Sequence, residues 1–228
     1  MRFPVKTISL AVASAFIVFG CGKEAPPPPP PKAEQPPAPP PKPTLTVKIG
    51  HSAPLTGPQA HLGKDNENGA RLAIDEANAA GVSLGGKKVK FELMSEDDQS
   101  DPKVGNTVAQ KLVDAKVAGV VGHLNSGTTI PASAIYNQAG IPQISPSATN
   151  PKYTQQGFKT AFRVMANDEQ QGKVLGDYAT KQLTGKKIAI VDDRTAYGQG
   201  VAEEFEKAAK AGGATIVARE FTNDKATD

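Results

Sequence analysis

Cysteine, tryptophan and histidine are all scarce in this chain, and each shortage narrows what the protein can be. The one cysteine is Cys21, so no disulfide can form within the chain and no cysteine cluster can hold a metal ion. There is no tryptophan, and aromatic residues make up 5% of the 228 positions. His51, His61 and His123 are spread over two predicted strand–helix loops without a carboxylate at ligand spacing. We therefore predict neither a metal site nor a cofactor.

An excess of positive charge is missing from the part of the chain that can fold. The whole chain has a formal net charge of +3, but residues 1–43 contribute five basic and two acidic residues, and residues 44–228 contain 21 of each sign. A nucleic-acid-binding surface needs a basic stripe, and no such stripe occurs. We therefore predict no nucleic-acid partner.

Residues 1–20 have the pattern of an export signal. Basic residues near the N-terminus precede an apolar stretch from Ile8 to Phe19, which is too short to remain as a membrane span. The string Val18-Phe-Gly-Cys21 resembles a bacterial lipobox, whose cysteine becomes the lipid-bearing N-terminus of the mature protein. We predict a signal peptide over 1–20 and lipidation of Cys21. A simple cleaved secretory signal is the alternative.

Residues 21–43 are dominated by proline. Twelve of the 20 prolines in the chain fall between Glu24 and Pro43, and Pro26 to Pro31 are consecutive. Such a segment cannot bury apolar surface, and it extends by about 3.1 Å per residue as a polyproline helix. We predict a semi-rigid, lipid-anchored stalk over 21–43. A ligand for an SH3-type reader is the alternative.

From Thr44 onward, strand-like and helix-like segments alternate. Ala70, Ala73, Ile74 and Ala77 fall at helical spacing on one face, and Gly81 ends that helix. The predicted strands are 47–49, 88–93, 117–121, 141–144, 160–164, 187–191 and 215–218, and the predicted helices are 70–77, 104–115, 130–137, 168–183 and 201–211.

Repeated strand–helix units predict an α/β fold in which helices cover both faces of parallel sheets. Five strands complete a doubly wound sheet, and we assign residues 44–164 to a first ligand-binding lobe. Residues 165–228 contain one further strand–helix–strand unit, and two strands alone cannot bury both faces of a sheet. We expect this segment to be the start of a second, incomplete α/β lobe that is truncated at Asp228.

The stretch from Gly122 to Ile130 is the strongest indication of a binding site. Small and hydroxyl-bearing residues connect the buried strand 117–121 to the helical pattern that opens at Ile130. Backbone N–H groups and the positive end of a helix dipole attract an anion at such a junction. The string resembles a phosphate loop, but Thr128 stands where a lysine would reach a nucleotide's phosphates. The pattern therefore favours a carboxylate over a triphosphate.

Two other strings are weaker candidates for chemistry. Gly81-Val-Ser-Leu-Gly85 matches a nucleophile elbow, but it follows a helix and precedes a strand, which reverses the required context. Glu96-Asp97-Asp98 resembles an acidic phosphoryl-transfer pocket, but it lacks a partner lysine in the expected later loop, and we interpret it as a solvated loop. No paired nucleophile and base accompanies these strings, so we predict that the protein is not an enzyme.

Several loops are expected to meet at the carboxyl edge of the sheet, where ligands of open α/β sheets bind. Hydroxyl groups recur in them, and hydroxyls can donate to a carboxylate and accept from an ammonium, which suits a zwitterion. The loops are Pro54–Gly63, His123–Thr128, Ser145–Asn150 and Arg194–Gly198, and their hydroxyls belong to Ser126, Thr128, Ser147, Thr149 and Tyr197.

Four motifs, in this order, resemble the leucine/isoleucine/valine-binding proteins of bacterial ABC importers, which have the type I periplasmic-binding fold. The motifs are Ala53–Pro58, His123–Ser133, Ile144–Thr149 and Ile190–Gly200. The resemblance implies that Ser126 holds the ligand's carboxylate, that the Ser147 carbonyl holds its ammonium, that Thr149 touches both and that Tyr197 packs from the second lobe. The implied ligand-binding set is Leu62, Leu124, Asn125, Ser126, Gly127, Thr128, Ser147, Ala148, Thr149 and Tyr197.

The same resemblance implies an extracytoplasmic substrate-binding protein whose two lobes close around an amino acid, with a branched-chain amino acid as the first expectation. Its expected partners are that amino acid and ABC permease subunits. The expected protein is a monomer in the periplasm or cell envelope, held at a membrane through Cys21. The alternative is a ligand-sensing module of the same fold in an envelope receptor or regulator.

Overall fold

The computed structural model describes residues 44–183 and 187–226. The predicted signal peptide, Cys21 and the predicted stalk lie outside the described residues. Among the described helices, none combines the length and the apolar composition that a membrane crossing requires. The strands are β1 Thr44–Ala53, β2 Ser83–Leu84, β3 Lys87–Asp97, β4 Gly119–Gly122, β5 Gln143–Ser145, β6 Ala161–Arg163, β7 Lys187–Asp192 and β8 Thr215–Phe221. The helices are α1 Ala60–Ala80, α2 Pro102–Asp114, α3 Ser126–Gln138, α4 Lys152–Gln155, α5 Asp168–Lys181 and α6 Ala196–Ala211.

The first six strands form one sheet in the order β2-β3-β1-β4-β5-β6. All neighbours are parallel except β2, which pairs antiparallel with the start of β3. The chain leaves β1 toward β3 on one side and returns to β4 on the other, so the strand order reverses between β1 and β4. Ligands of open parallel sheets bind outside the carboxyl ends of the strands at such a reversal. The predicted parallel α/β sheet is confirmed.

The core of this sheet lies between β1, β4 and the helices α2 and α3. Leu112 of α2, Val120 of β4 and Tyr136 of α3 are all buried there. Gly50 of β1 lets α2 lie close to the sheet, because a Cβ at this position would be 3.1 Å from Leu112 Cδ1. Asp101 fixes the start of α2, since its carboxylate accepts the N–H groups of the helix's first turn.

A second, two-stranded sheet consists of β7 and β8, which are parallel. Helix α6 packs against both strands, and α5 packs against α6. Gly172 and Gly176 lie one turn apart on α5, and a Cβ on either would come within 2.5 Å of a Cβ on α6. The two helices therefore meet backbone to backbone, which any larger residue at either glycine would prevent.

Three helices begin earlier than their apolar patterns predict. Helix α1 begins at Ala60 rather than Ala70, α3 begins at Ser126 rather than Ile130, and α6 begins at Ala196 rather than Val201. The added turns consist mostly of small and polar residues, so they lack the apolar period on which the prediction relied. Pro131 lies inside α3 rather than in its first turn, because the helix begins at Ser126. The short elements β2 and α4 were not predicted, because two and four residues are too few to show a period.

Candidate ligand-binding site

The candidate site lies at the carboxyl ends of β1, β4 and β5. Gln59 precedes α1, and its Oε1 accepts hydrogen bonds from Asn125 Nδ2 at 2.7 Å and from Ser100 Oγ at 3.0 Å. One side chain therefore joins the loops that follow β1, β3 and β4. Gln59 was not predicted as a site residue, because a lone glutamine before a polar helical turn has no distinctive pattern.

Ser126 is the first residue of α3 and is 2% exposed. Its Oγ accepts the backbone N–H of Asn150 at 3.2 Å, so the hydroxyl proton remains to be donated. Within residues 44–183 and 187–226, no side chain caps the start of α3. The first N–H groups of that helix and the positive end of its dipole are thus available beside the Ser126 hydroxyl. This arrangement suits a carboxylate.

Ser145 connects the two loops that contain most of the predicted ligand groups. Its buried hydroxyl donates to the carbonyl of His123 at 2.7 Å and accepts the N–H of Ala148 at 2.8 Å. Thr129 Oγ1 donates to the same His123 carbonyl at 3.1 Å. Ser145 therefore fixes the geometry of the site from behind, a role that its position in a Ser-rich loop did not reveal.

Asp168, the first residue of α5, is the most informative residue that the sequence analysis missed. It is 0% exposed, and neither of its carboxylate oxygens has a hydrogen-bond partner among the described residues. Burial raises the pKa of this carboxyl, and the neighbouring Thr149 hydroxyl and the Arg163 guanidinium offset only part of that effect. An enclosed carboxylate without a partner needs a proton or a cation.

Thr149 lies beside Asp168 and shares its lack of a partner. The carbonyl of Thr149 accepts the N–H of Asp168 at 3.0 Å, which holds the two residues together. The buried Thr149 hydroxyl has no hydrogen-bond partner within the described part of the chain. Two oxygen acceptors with unused capacity thus lie side by side. Asp168 was overlooked because an acidic residue in a first helical turn ordinarily complements the helix dipole.

Helix α6 brings the second sheet to the same site. Asn150 Nδ2 donates to the carbonyl of Ala196, the first residue of α6, at 2.6 Å. Tyr197 follows and is 45% exposed. Gly200 lies one turn further, where a Cβ would be 2.4 Å from Asp168 Oδ2. Because Gly200 has no Cβ, α6 can lie directly against the buried carboxylate.

A buried polar group, here called the Asp98 cluster, lies behind the junction of β4 and α3. It consists of Ser52, Asp98, His123 and Tyr136, all 0% exposed. Asp98 Oδ2 accepts from Ser52 Oγ at 3.2 Å and lies 2.8 Å from His123 Nδ1, while His123 Nε2 lies 3.1 Å from the Tyr136 hydroxyl. Burial, and then the charge of Asp98, raises the pKa of Tyr136. The cluster supports the loop that contains Ser126.

The structure corrects two interpretations of residues in and beside the Asp98 cluster. Asp98 is not part of a solvated loop, because it is fully buried and follows β3, which continues to Asp97. His51 lies in β1 rather than in a loop, and burial lowers its pKa to about 4. Among the described residues, no group of three or more histidine, cysteine, aspartate or glutamate side chains could hold a metal ion.

The remaining predicted ligand residues differ in their surroundings. Leu62 lies in α1 rather than in a loop and is 44% exposed. Thr128 is fully buried, and its hydroxyl donates to the carbonyl of Asn125, the residue before α3, at 3.0 Å, so its side chain is already hydrogen-bonded within the protein. Tyr197 lies in the first turn of α6, not in a loop, and borders a cavity of about 370 Å³ at the second sheet. That cavity is not formed by the loops that contain Ser126 and Thr149.

Comparison with known proteins places this geometry in a family. The model of a family described as periplasmic binding protein matches residues 46–228. Leu/Ile/Val-binding protein homolog 1 of Brucella melitensis is 47% identical over 161 residues, which are 71% of this chain and 43% of that protein. The chain thus spans less than half the length of this relative.

Two solved structures are similar in sequence and fold. The branched-chain amino acid transporter substrate binding protein from Streptococcus pneumoniae, in complex with isoleucine, is 36% identical with a TM-score of 0.71, and the match covers 81% of this chain and 51% of that one. An ABC transporter solute binding protein from Rhodopseudomonas palustris, in complex with 3,4-dihydroxybenzoic acid, is 28% identical with a TM-score of 0.68, covering 78% and 47%. With its fold, its site and these similarities taken together, the chain belongs to the periplasmic binding protein family.

Proposed function

We propose that this protein is an extracytoplasmic substrate-binding protein of an ABC importer and that it binds a branched-chain amino acid between two lobes. The name of the Brucella relative and the isoleucine in the Streptococcus structure support this proposal. Membership of the family implies a periplasmic location. Substrate-binding proteins of this family are not enzymes, and we extend that statement to this chain, which would bind its ligand without transforming it.

The first lobe, residues 44–164, would recognise the two charged groups of the amino acid separately. The Ser126 hydroxyl and the start of α3 would bind the carboxylate, as they are donors beside a positive helix end. The Ser147 carbonyl and the Thr149 hydroxyl would accept from the ammonium. Asp168 would neutralise its charge from the start of the second lobe, residues 165–228. Leu62 and Tyr197 would contact the ligand's side chain.

The observation that carries this proposal is the buried, unpartnered carboxylate of Asp168 beside the unpartnered hydroxyl of Thr149. A ligand such as the dihydroxybenzoic acid of the Rhodopseudomonas structure has a carboxylate but no ammonium, so it would bring no positive charge to Asp168. An amino acid provides both charges. The pair Asp168 and Thr149 therefore favours an amino acid over an aromatic acid.

A ligand screen on the full-length protein tests the proposal directly. Leucine, isoleucine and valine should raise the melting temperature, because a ligand that binds only the folded state stabilises it. Benzoate and dihydroxybenzoate should not. Transport and sensing are then separated by uptake of labelled leucine in cells with and without the gene. Loss of uptake supports an importer that acts with permease subunits, whereas unchanged uptake supports a ligand-sensing module of an envelope receptor or regulator.

Replacing Ser126 by alanine should weaken leucine binding about ten- to a hundredfold. The lost bond is a donation to a carboxylate, worth about 1.5–3 kcal/mol. Ser83→Ala is the matched control, because Ser83 is exposed on the short strand β2. Calorimetry measures the affinities, and circular dichroism checks folding. If Ser126→Ala and Thr149→Ala both bind leucine as tightly as the unmodified protein, the proposed site is wrong.

Lipidation of Cys21 would anchor the protein at a membrane, with the proline-rich segment 21–43 as a stalk. We expect Cys21→Ala to move the protein from the membrane fraction to the soluble periplasmic fraction, because an acylated cysteine is the proposed anchor. Fractionation and intact-mass spectrometry measure the change. A soluble, unacylated protein in cells that express the unmodified sequence would contradict the anchor. Gel filtration of the released protein checks the expected monomer.

A further inference from the structure

Every polar atom of Asn150 makes a hydrogen bond, and the residue is 6% exposed. Its N–H donates to Ser126 Oγ at 3.2 Å, and its Oδ1 accepts the N–H of Lys152 at 3.0 Å. Its carbonyl accepts from Arg163 Nη2 at 2.8 Å. Its Nδ2 donates to the Ala196 carbonyl at 2.6 Å. One buried residue thus contacts α3, α4, β6 and α6.

Two of these contacts connect groups that the proposed function assigns to opposite walls of the cleft. Ser126 belongs to the first lobe and would bind the ligand's carboxylate. Ala196 begins α6, and the next residue, Tyr197, would contact the ligand from the second lobe. Asn150 therefore forms a continuous hydrogen-bonded connection from the carboxylate-binding hydroxyl to the helix that presents Tyr197.

The surface of α6 is shaped to receive Asn150. A Cβ at Gly200 would lie 2.7 Å from Asn150 Nδ2 and 2.4 Å from Asp168 Oδ2. Glycine at this position is what allows α6 to approach both side chains. The close approach and the short bond to Ala196 occur at the same turn of the helix, so they hold α6 in one position.

We propose that Asn150 is a positioning residue, which holds the start of helix α6, and Tyr197 with it, against the first lobe and thereby sets the affinity for the ligand. Asn150 does so through its amide and touches no ligand itself. The effect on affinity rests on the proposed function. The effect on the position of α6 does not, because it concerns contacts that are present without a ligand.

Asn150→Asp is the sharpest substitution for testing this proposal. It preserves the size of the side chain and the acceptor for Lys152, but it places a carboxylate oxygen where Nδ2 now donates to the Ala196 carbonyl. The hydrogen bond to the Ala196 carbonyl is replaced by repulsion between two oxygen atoms, and the nearby carboxylate of Asp168 adds to that repulsion. Gly200→Ala disturbs the same contact from the α6 side, because the added methyl group would collide with the Asn150 amide, and it leaves Asn150 unchanged. Asn68→Asp, on the exposed face of α1, is the control for the change in charge.

The experiment measures the position of α6 and the affinity in the same set of proteins. Spin labels are attached to cysteines introduced by Lys103→Cys on α2 and Glu203→Cys on α6, in a Cys21→Ser background. Pulsed electron paramagnetic resonance then measures the distance between the two labels, and so between the lobes. We expect Asn150→Asp and Gly200→Ala to lengthen and broaden the distance distribution without ligand, and to weaken leucine binding about tenfold or more. Asn68→Asp should change neither.

The outcomes separate this inference from the proposed function. If the full-length unmodified protein binds neither leucine nor isoleucine, the proposed ligand is wrong, but the distances without ligand still test the role of Asn150. Distance distributions for Asn150→Asp and Gly200→Ala that match the unmodified protein overturn the positioning role. Altered distances with unchanged leucine affinity overturn its link to binding.

Discussion

Asp168→Asn should weaken leucine binding at least thirtyfold and, at the same time, raise the melting temperature of the unliganded protein. The affinity falls because a buried carboxylate is the proposed counter-ion of the ligand's ammonium, and loss of one partner of such a pair costs about 2–5 kcal/mol. The unliganded protein becomes more stable because an amide is cheaper to bury than a carboxylate without a partner. Calorimetry and thermal unfolding measure the two effects.

The dependence of stability on pH gives this prediction a second measurement. Burial raises the pKa of Asp168 above its ordinary value of 3.8 in the folded protein. Well below pH 3.8 the carboxyl is protonated in both the folded and the unfolded states, so its burial does not reduce the free energy of unfolding. As the pH rises through the raised pKa, the unmodified protein loses stability relative to Asp168→Asn. Asp114→Asn, at an exposed position, should show no such difference. Equal affinity and parallel pH curves would contradict the role of Asp168.

Asp98→Ala should reduce the free energy of unfolding by about 3–5 kcal/mol. The carboxylate accepts from Ser52 Oγ and from the N–H of Ser100, and it lies 2.8 Å from His123 Nδ1, so its removal leaves buried donors without an acceptor. Urea unfolding followed by circular dichroism measures the change.

Two variants calibrate that measurement. Tyr136→Phe removes only the hydroxyl beside His123 Nε2 and should cost about 1–2 kcal/mol. Asp114→Ala removes an exposed carboxylate from the end of α2 and should change stability by about 0.5 kcal/mol or less. A loss of less than 1 kcal/mol in Asp98→Ala would show that the Asp98 cluster does not stabilise the fold.

Local pattern was sufficient to predict the order of the main strands and helices. Buried parallel strands such as β4 appear as short apolar runs, and helices such as α2 have an apolar period, so both can be recognised without knowledge of their neighbours. The starts of α1, α3 and α6 could not be recognised in this way. Their first turns are mostly small and polar, and the same composition is typical of loops.

The candidate site was only partly predictable for a different physical reason. Ser126 and Thr149 could be proposed from sequence, since hydroxyl residues after parallel strands lie at the edge where ligands bind. Ser145, Asn150 and Asp168 could not, because their roles depend on which atoms find partners in the folded chain. A triple of acidic residues ordinarily indicates a solvated surface, and only the fold shows that Asp98 is enclosed by His123 and Ser52.

The contrast between Ser126, at 2% exposure, and Leu62 and Tyr197, at 44% and 45%, has an evolutionary meaning. The serine proposed for the ligand's carboxylate is hydrogen-bonded to the buried Asn150, so a substitution there disturbs more than the contact with the ligand. The groups proposed for its side chain are nearly half exposed and can change at little cost to the fold. Under the proposed function, drift and selection would therefore diversify the ligand side chain that is accepted before they change how its carboxylate is recognised.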